Sequence, residues 1–473
     1  MITLGVVFEA LLHQAPAWAD QVISDVDVDS RKMIPGALFV AVPGEHLDGH
    51  DFLEDAFQRG AAFAFIEREV SSDFRVVDLR GEAGQIPAEP LELPFCLRVD
   101  HTIQALQQVA AYWRKKLNVR VIGITGSVGK STTKELTTTV LKQRHRTLKN
   151  PGNLNNEIGL PMTLWRLSEG HDRAVLEMGF YVPGEIEMLC EIARPSVGVI
   201  TTIGTVHAER AGSIEEIARG KGELVEALPP APEGVAVLNY DDALVREMAE
   251  RTNARIFYYG LNPEADLWAD QVESLGLDGI KFRLHYQGET IHLRVPLIGR
   301  HSVHTVLRAA GVGLVEGLTW QEIIRGLQMG HTQLRLVAVE ARSGALLLDD
   351  TYNASPKSML ADLNLLDELE GRKIAVLGDM LELGQYERIG HEKVGIRAAE
   401  IVHTLVTVGS LATMIGRAAQ QAGLPEERIV ELQDSQAAID FLENYLVEGD
   451  IVLVKGSRGA RMDRIVTALE VES

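Results

Sequence analysis

A chain of 473 residues has room for about three domains and a large buried core, which excludes a disulfide-stapled miniprotein. Its 67 acidic residues outweigh 46 basic ones for a net charge of −21, and only 5% of residues are aromatic. That balance argues against a sequence-independent grip on nucleic-acid backbone and against base-stacking platforms, so no nucleic-acid partner is expected. The two cysteines, Cys96 and Cys190, are far apart and lack CxxC or Cys/His spacing, which fits a reducing compartment and argues against a zinc site. The opening MITLGVVFEALLHQ has only a short apolar run interrupted by Glu9 and does not read as a signal peptide. No apolar stretch reaches the roughly 18 residues a spanning helix needs, so no membrane insertion is expected.

The deficit is concentrated early. Residues 1–99 hold 17 acids and 7 bases, a net of −10, and Arg31 and Lys32 are the only bases among the first 58 residues. An anion bound by this segment should therefore meet that pair.

In chain order, the first segment reads as short strands and turns. Ala37 to Val42 is strand-like between the turn pairs Pro35-Gly36 and Pro43-Gly44, and a helix from Phe52 to Arg59 stops at Gly60. The Gly- and Pro-rich stretch from Arg80 to Pro94 marks a first boundary near residue 98. A helix capped by Asp100 or Thr102 then runs to about Leu117, with Leu106, Val109, Ala110 and Trp113 on one face. Apolar strands follow: VRVIGIT, AVLEM, SVGVITTI, VAVLNY and ARIFYY, mostly with helical stretches between them. That alternation indicates a parallel sheet covered by helices. A second such unit starts near His331 with ALLLDD, KIAVLGD, TLVTVG and DIVLVKG. The class is α/β, with divisions at 1–98, 99–330 and 331–473. In doubly wound sheets ligands sit at the carboxyl ends of strands, where the last unit places Asp349, Asp350, Asp379, Ser410 and the run Lys455 to Arg458.

The strongest local signal is Gly123-Ile-Thr125-Gly126-Ser127-Val128-Gly129-Lys130-Ser131-Thr132, between strand VRVIGIT and the helical KELTTTVLKQR. Glycines let backbone N–H groups close on phosphates, Lys130 meets the outer phosphates, and the Ser131 hydroxyl can hold Mg²⁺. Ile124 stands where the standard loop has its first glycine. No Asn-Lys-x-Asp guanine-reading motif occurs. Glu177, at the end of AVLEM, is placed to hold Mg²⁺ directly or through water. His207 follows another strand, and Lys221 lies in a helix from Ile214 to Leu228 closed by Pro229-Pro230. Both have bland alternatives, a structural histidine and a solvated lysine. The loop holding Asn150, Asn153, Asn155 and Asn156 is richer in carboxamides than a turn needs, and such groups can orient phosphate or a developing anion.

Taken together, DSRKMIPGALFVAVPGEHLDGHDF, ITGSVGKST, GNLNNEIGLP, LEMG, IGTVHAE, ARGKGE, VLNYDD, GRH, LDDTYNASPKSM, VLGDMLELG and VKGSRG, in this order, resemble the ATP-dependent Mur ligases over essentially the whole chain. Within them the chain is similar to the branch that adds D-alanyl-D-alanine to UDP-N-acetylmuramoyl-tripeptide. The resemblance implies a UDP-sugar-binding N-terminal domain, a central ATPase and a Rossmann-like C-terminal domain, acting as a monomer in the cytoplasm.

The resemblance also assigns roles. The loop from Thr125 to Thr132 and Lys130 would bind ATP, Ser131 and Glu177 one Mg²⁺, and His207 a second. Lys221 matches the lysine that family members carboxylate to a carbamate. Arg335 and Asp350 resemble contacts to ATP phosphate and ribose, and Asn156 is a candidate for catalysis. Ser30 and Arg31 would face the UDP-sugar. Asn155, Asn156, Tyr352, Asn353, Lys455, Ser457 and Arg458 are candidates for holding substrate. Departures occur after Gly299-Arg300-His301, where Ser302 and Thr305 replace two asparagines associated with the adenine end, and at Ser355 in place of asparagine. The Asp-Asn-Pro-Arg signature of the diamino-acid-adding relative is absent. A folylpolyglutamate synthase is disfavoured by the N-terminal segment, and a non-catalytic nucleotide-binding protein by the presence of Lys130, Ser131, Glu177, His207 and Lys221.

Overall fold

The computed structural model describes residues 1–44, 47–80, 86–87, 89–206, 208–329 and 337–471. They pack as two compact units, one formed by 1–123, 145–179 and 184–197, the other by 124–144, 180–183 and 198–473. The division passes through strand Arg120–Thr125, so the phosphate-loop sequence lies in the second unit. His331, where the last division is expected, lies outside the described residues.

In the first unit a five-stranded parallel sheet has the order Val26–Asp27, Ala37–Val40, Ala61–Ile66, Phe95–Arg98, Val76–Asp78. Strand Ala61–Ile66 is buried along its whole length, as a central parallel strand should be. The opening is helical rather than extended: Leu4–Leu12 forms a helix because the Thr3 side chain accepts the Val6 N–H and Leu4, Val7, Phe8 and Ala10 turn inward. The helix after the first sheet is Thr102–Lys116, and neither Asp100 nor Thr102 caps it. Instead Glu67 accepts both the Thr102 N–H at 2.6 Å and its hydroxyl at 2.9 Å. A carboxylate brought in by the sheet thus does the work expected of a local cap. The unit also holds strands Arg173–Glu177 and Thr147–Lys149, paired in parallel.

The second unit contains strands in the order Glu289–Val295, Ile280–Tyr286, Leu267–Ser274, Arg255–Gly260, Val235–Asn239, Val197–Ile200. The first three form an antiparallel meander, so this sheet is mixed rather than wholly parallel. Gly276 and Gly279 take positive φ at its first turn. The six-stranded C-terminal sheet has the order Val337–Glu340, Leu346–Asp350, Asp450–Lys455, Arg372–Gly378, Thr404–Val408, Ile429–Leu432. It is parallel except at the edge strand Val337–Glu340. Two apolar layers cover it, one including Leu348, Met359, Leu363, Leu377 and Leu453, the other Ile374, Val376, Val452 and Val454. The architecture is α/β, as expected from the strand and helix pattern.

Candidate active site

The phosphate loop is shaped by two glycines. Gly126 has φ +139°, and a Cβ there would lie 1.8 Å from Thr201 Oγ1. Gly129 has φ +85° and starts helix Lys130–Leu141. The loop is tied to the next strand end: Ser127 N–H donates to the Thr202 carbonyl at 2.7 Å, and Ser127 Oγ exchanges bonds with Gly204 at 2.9 and 3.1 Å. Thr125 is buried, its carbonyl accepting Thr201 N–H at 2.9 Å. Lys130 Nζ donates to the Gly126 carbonyl at 2.7 Å, which places the ammonium over the loop. Ser131 and Thr132 lie in the first turn of the helix, whose N-terminus favours negative charge.

A cavity of about 580 Å³ opens beside this loop, lined by Ser127, Val128, Gly129 and Thr132 on one side and Asp350, Asn353, Ser355 and Lys455 on another. A size of several hundred Å³ suits a small-molecule site. Parallel pairing sets part of its wall, because Asp350 and Lys455 occupy matching positions on neighbouring strands. Lys455 is fully buried, ion-paired to Asp350 and 2.8 Å from Asp362. Burial opposes its charge, but the two carboxylates prevail and its pKa is raised. Burial pushes the Asp362 carboxyl up to about 7, with Lys455 working against the rise and Asp350 adding to it.

Arg308, on helix Ser302–Val315, was not singled out by sequence, although an arginine amid the apolar residues of that helix is a signal. It is buried, donating to Thr133 at 2.8 Å, Thr305 at 2.8 Å and Tyr259 at 3.4 Å. Thr305 therefore anchors the arginine that braces the phosphate-loop helix. Further cavity residues come from separate segments: His304 pairs with Asp241 at 2.9 Å, and the Thr202 hydroxyl and the Ile203 N–H donate to Asp242 at 2.7 and 3.0 Å. Burial alone would push the Asp241 carboxyl up, but bonds from His304 and the Leu261 N–H hold it below its ordinary range. His301 lines the cavity and stays exposed, while the protein close to its ring, with Lys455 adding, pushes its pKa down to about 4.

Lys221, on helix Ile214–Glu226, is fully buried with Nζ 4.3 Å from the centre of the Phe180 ring. In the first unit, Glu177 is buried at the end of its strand and accepts from Asn155 Nδ2 at 3.0 Å. Asn150 holds the Glu177 backbone from both sides. Asn156 accepts the Gly159 N–H at 2.9 Å at the start of helix Gly159–Trp165, an arrangement that fixes the loop. The asparagine-rich segment thus has one member, Asn150, as a strut and another, Asn155, on the carboxylate itself.

The N-terminal candidates occupy one turn. Ser30 is buried, its hydroxyl bonded to Asp55, which is held below its usual range by Ser30 and then Arg59. Arg31 is exposed and forked onto Asp29 at 2.8 and 2.9 Å, pulling that carboxyl down to about 2. Lys32 lies 3.7 Å from Asp27. In the C-terminal crest Ser457 is buried and accepts the Leu381 N–H at 2.9 Å, whereas Arg458, Tyr352 and Asn353 are exposed. His207 and Arg335 lie outside the described residues. The structure thus brings Thr125, Gly126, Ser127, Val128, Gly129, Thr132, Asp350, Asn353 and Lys455 into or beside one cavity, and places Glu177 with Asn155 and Asn150 in the other unit.

Three family models match in succession: "Mur ligase family, catalytic domain" over residues 22–114, "Mur ligase middle domain" over 124–313, and "Mur ligase, glutamate ligase domain" over 334–458. The chain is 33% identical over 458 residues to UDP-N-acetylmuramoyl-tripeptide--D-alanyl-D-alanine ligase of Bacillus subtilis, covering 96% of this chain and 94% of that one. The enzyme of the same name from Escherichia coli is also 33% identical, over 96% of this chain and 95% of that one. Among solved structures, MurF from Acinetobacter baumannii is similar with a TM-score of 0.82 and 30% identity, covering 98% of both chains. MurF ligase from Thermotoga maritima in complex with ADP is similar with a TM-score of 0.77 and 26% identity, covering 94% of this chain and 96% of that one. With matching domains in the same order and full-length relatives above 30% identity, the chain belongs to the Mur ligase family.

Proposed function

We propose that the protein is an ATP-dependent, ADP-forming amide ligase that adds D-alanyl-D-alanine to UDP-N-acetylmuramoyl-tripeptide in peptidoglycan precursor synthesis. The observation that carries this reading is a cavity lined both by the phosphate loop and by the Asp350 and Lys455 crest of the C-terminal sheet. Such a cavity can hold a nucleotide with its phosphates against loop N–H groups and its remainder toward the crest. The division into residues 1–98, 99–330 and 331–473 assigns UDP-sugar binding, ATP binding and closure of the site to successive domains.

The reaction divides into two displacements. An oxygen of the tripeptide's terminal carboxylate attacks the γ-phosphorus, the bond from that phosphorus to the β–γ bridging oxygen breaks, and ADP leaves. The amine of D-alanyl-D-alanine then attacks the acyl phosphate carbon, the bond from carbon to phosphate oxygen breaks, and the amine loses a proton as phosphate departs. Lys130 and the loop N–H groups orient the phosphates and neutralise charge on them, while Arg308 keeps helix Lys130–Leu141 in place through Thr133. Tyr352, Asn353, Lys455, Ser457 and Arg458 are proposed to hold the dipeptide end, and Ser30 and Arg31 the UDP-sugar end.

The oxygen donors Ser131 and Glu177 suit Mg²⁺, a hard cation that takes few protein ligands and fills its shell with phosphate and water. When bound, Mg²⁺ would neutralise phosphate charge as a Lewis acid. Carboxylation of the buried Lys221 to a carbamate would add a second anionic oxygen donor to the site.

Phosphate release measured over a matrix of UDP-muramoyl peptides and amine donors, with product mass checked, tests the reading. Turnover is expected only with a UDP-muramoyl tripeptide and D-alanyl-D-alanine together. Turnover with lysine or diaminopimelate as the amine would move the protein to the diamino-acid-adding branch.

A further inference from the structure

We infer that Lys357 is a phosphate-binding residue of this nucleotide site, an ammonium supplied from the C-terminal domain to the terminal phosphate of ATP. The inference rests on the nucleotide reading above and concerns a residue that motif matching leaves unassigned.

Helix Pro356–Glu368 starts with a complete capping box between Ser355 and Ser358 and with Pro356 in its first turn. Lys357 is the next residue. A helix N-terminus carries partial positive charge, so an ammonium there is opposed by the dipole unless an anion sits beside it. This one points into the cavity that holds Ser127, Val128, Gly129 and Thr132 of the phosphate loop.

Its protein partners are one hydroxyl and one carboxylate at the edge of ion-pair distance, which leaves a place for a further anion. Nζ donates to the Thr202 hydroxyl, and the carboxylate of Asp242 is 3.9 Å away. Asp242 already accepts from that same hydroxyl at 2.7 Å and from the Ile203 N–H at 3.0 Å. By contrast, the neighbouring cavity cation Lys455 is held by two carboxylates, and Arg308 is fixed by three hydroxyls. Loss of surrounding water pushes the Lys357 pKa below the ordinary lysine value, with Asp242 offsetting part of that and Arg308 adding to it. An anion arriving in the cavity would relieve this imbalance.

The position is apt for a phosphate. The Thr202 carbonyl accepts the Ser127 N–H of the loop at 2.7 Å, so the ammonium rests on a residue that is itself bonded to the phosphate-binding backbone. The side chain is 57% exposed through the cavity, and a four-carbon stem reaches neighbouring positions without moving the helix. Cations that bind only when a third phosphate is present are what a ligase needs to distinguish ATP from its product.

The test compares affinities for a non-hydrolysable ATP analogue and for ADP, both with Mg²⁺, by calorimetry on the full chain. Lys357→Met is expected to weaken the triphosphate on the order of tenfold or more, the loss of one charge-assisted bond, and ADP by less than about twofold. Lys357→Arg should restore most of the difference. Thr202→Val, which removes the resting hydroxyl but not the ammonium, should keep the preference for triphosphate. Equal loss for both nucleotides in Lys357→Met, or no loss for either, overturns the inference, as does Thr202→Val reproducing the Lys357→Met pattern. Failure of the unaltered protein to bind either nucleotide would overturn the site reading itself, and the two failures are thereby told apart. Unchanged thermal melting of Lys357→Met verifies that the half-exposed side chain is not needed for folding.

Discussion

Asn150 grips Glu177 through both backbone groups: its Oδ1 accepts the Glu177 N–H at 2.9 Å and its Nδ2 donates to the Glu177 carbonyl at 3.0 Å. The same Nδ2 also reaches the Leu154 carbonyl at 2.8 Å, and the side chain is fully buried. Asn150→Ala would leave three backbone groups short of a partner in the interior. A destabilisation of about 3 kcal/mol is expected, and if Glu177 holds Mg²⁺ as proposed, a higher Mg²⁺ concentration should be needed for activity as the carboxylate loses its fixed position. Urea unfolding and a Mg²⁺ titration of phosphate release check this. A change below about 0.5 kcal/mol would show that water replaces the carboxamide at no cost.

Gly126→Ala brings a methyl group to within 1.8 Å of Thr201 Oγ1 at a φ of +139°. Side chain and backbone both object, so the loop must shift and nucleotide affinity should fall on the order of a hundredfold. Thr201→Ala in the same chain removes the hydroxyl contact but leaves the 3.0 Å approaches to the residue-201 Cβ and N and the backbone strain, and is expected to recover only part. Full recovery in the double variant would assign the whole effect to the side-chain contact.

The pKa of the exposed His301 imidazole is pushed down to about 4 by the protein close to it and then by Lys455. Between that value and the ordinary 6.5 the unfolded chain binds the proton and the folded chain does not. Stability from this group is therefore complete above about pH 6.5 and declines as pH falls toward 4. NMR titration of the His301 ring should give a midpoint near 4, and His301→Gln should flatten the acid limb of a stability profile. A midpoint near 6.5 would mean that water reaches the ring freely.

Arg372 forks onto buried Asp450 at 2.7 and 2.6 Å. Burial acts to raise the Asp450 carboxyl, yet the guanidinium holds it below its usual range. Arg372→Ala leaves a buried carboxylate without its cation and should cost about 3 kcal/mol at neutral pH. Because the lowered carboxyl contributes only when ionised, the cost should shrink as pH drops through the Asp450 titration. Thermal melting at pH 7 and in mild acid checks both statements.

If Lys221 carries a carbamate, Lys221→Ala should lose ligation and added acetate should return a part of it, since acetate supplies the missing carboxylate to the space left by the side chain. Phosphate release coupled to product formation is the measurement. No return at any acetate concentration would leave the lysine with a packing role against Phe180, where its Nζ lies 4.3 Å from the ring centre.

The features legible in the sequence are those built from contiguous residues. Strand, glycine loop and helix around Lys130 lie in one run, and Asp350 and Lys455 each close an apolar strand whose type is plain. The cap of helix Thr102–Lys116 was not legible, because Glu67 reaches it across 35 positions of sequence. Arg308 and Thr133 meet across 175 positions, and Lys357 and Thr202 across 155. Only the packed sheet and helix arrangement creates those pairs. The meander from Leu267 to Val295 is hard to read from sequence for a different reason. Its strands alternate buried and exposed residues, a pattern weaker than the continuous apolar runs of buried parallel strands.

If Arg31 meets the UDP-sugar as proposed, its forked contact with Asp29 makes capture at that turn an exchange of partners rather than an encounter of bare charges. An incoming anion must displace a carboxylate already in place, and what it gains is the difference between two ion pairs. Mobile salt screens both pairs alike, so affinity at this turn should depend on ionic strength far less than attraction to an uncompensated arginine would. A strongly acidic chain can in this way select among anions by shape and donor geometry, with its overall repulsion left intact.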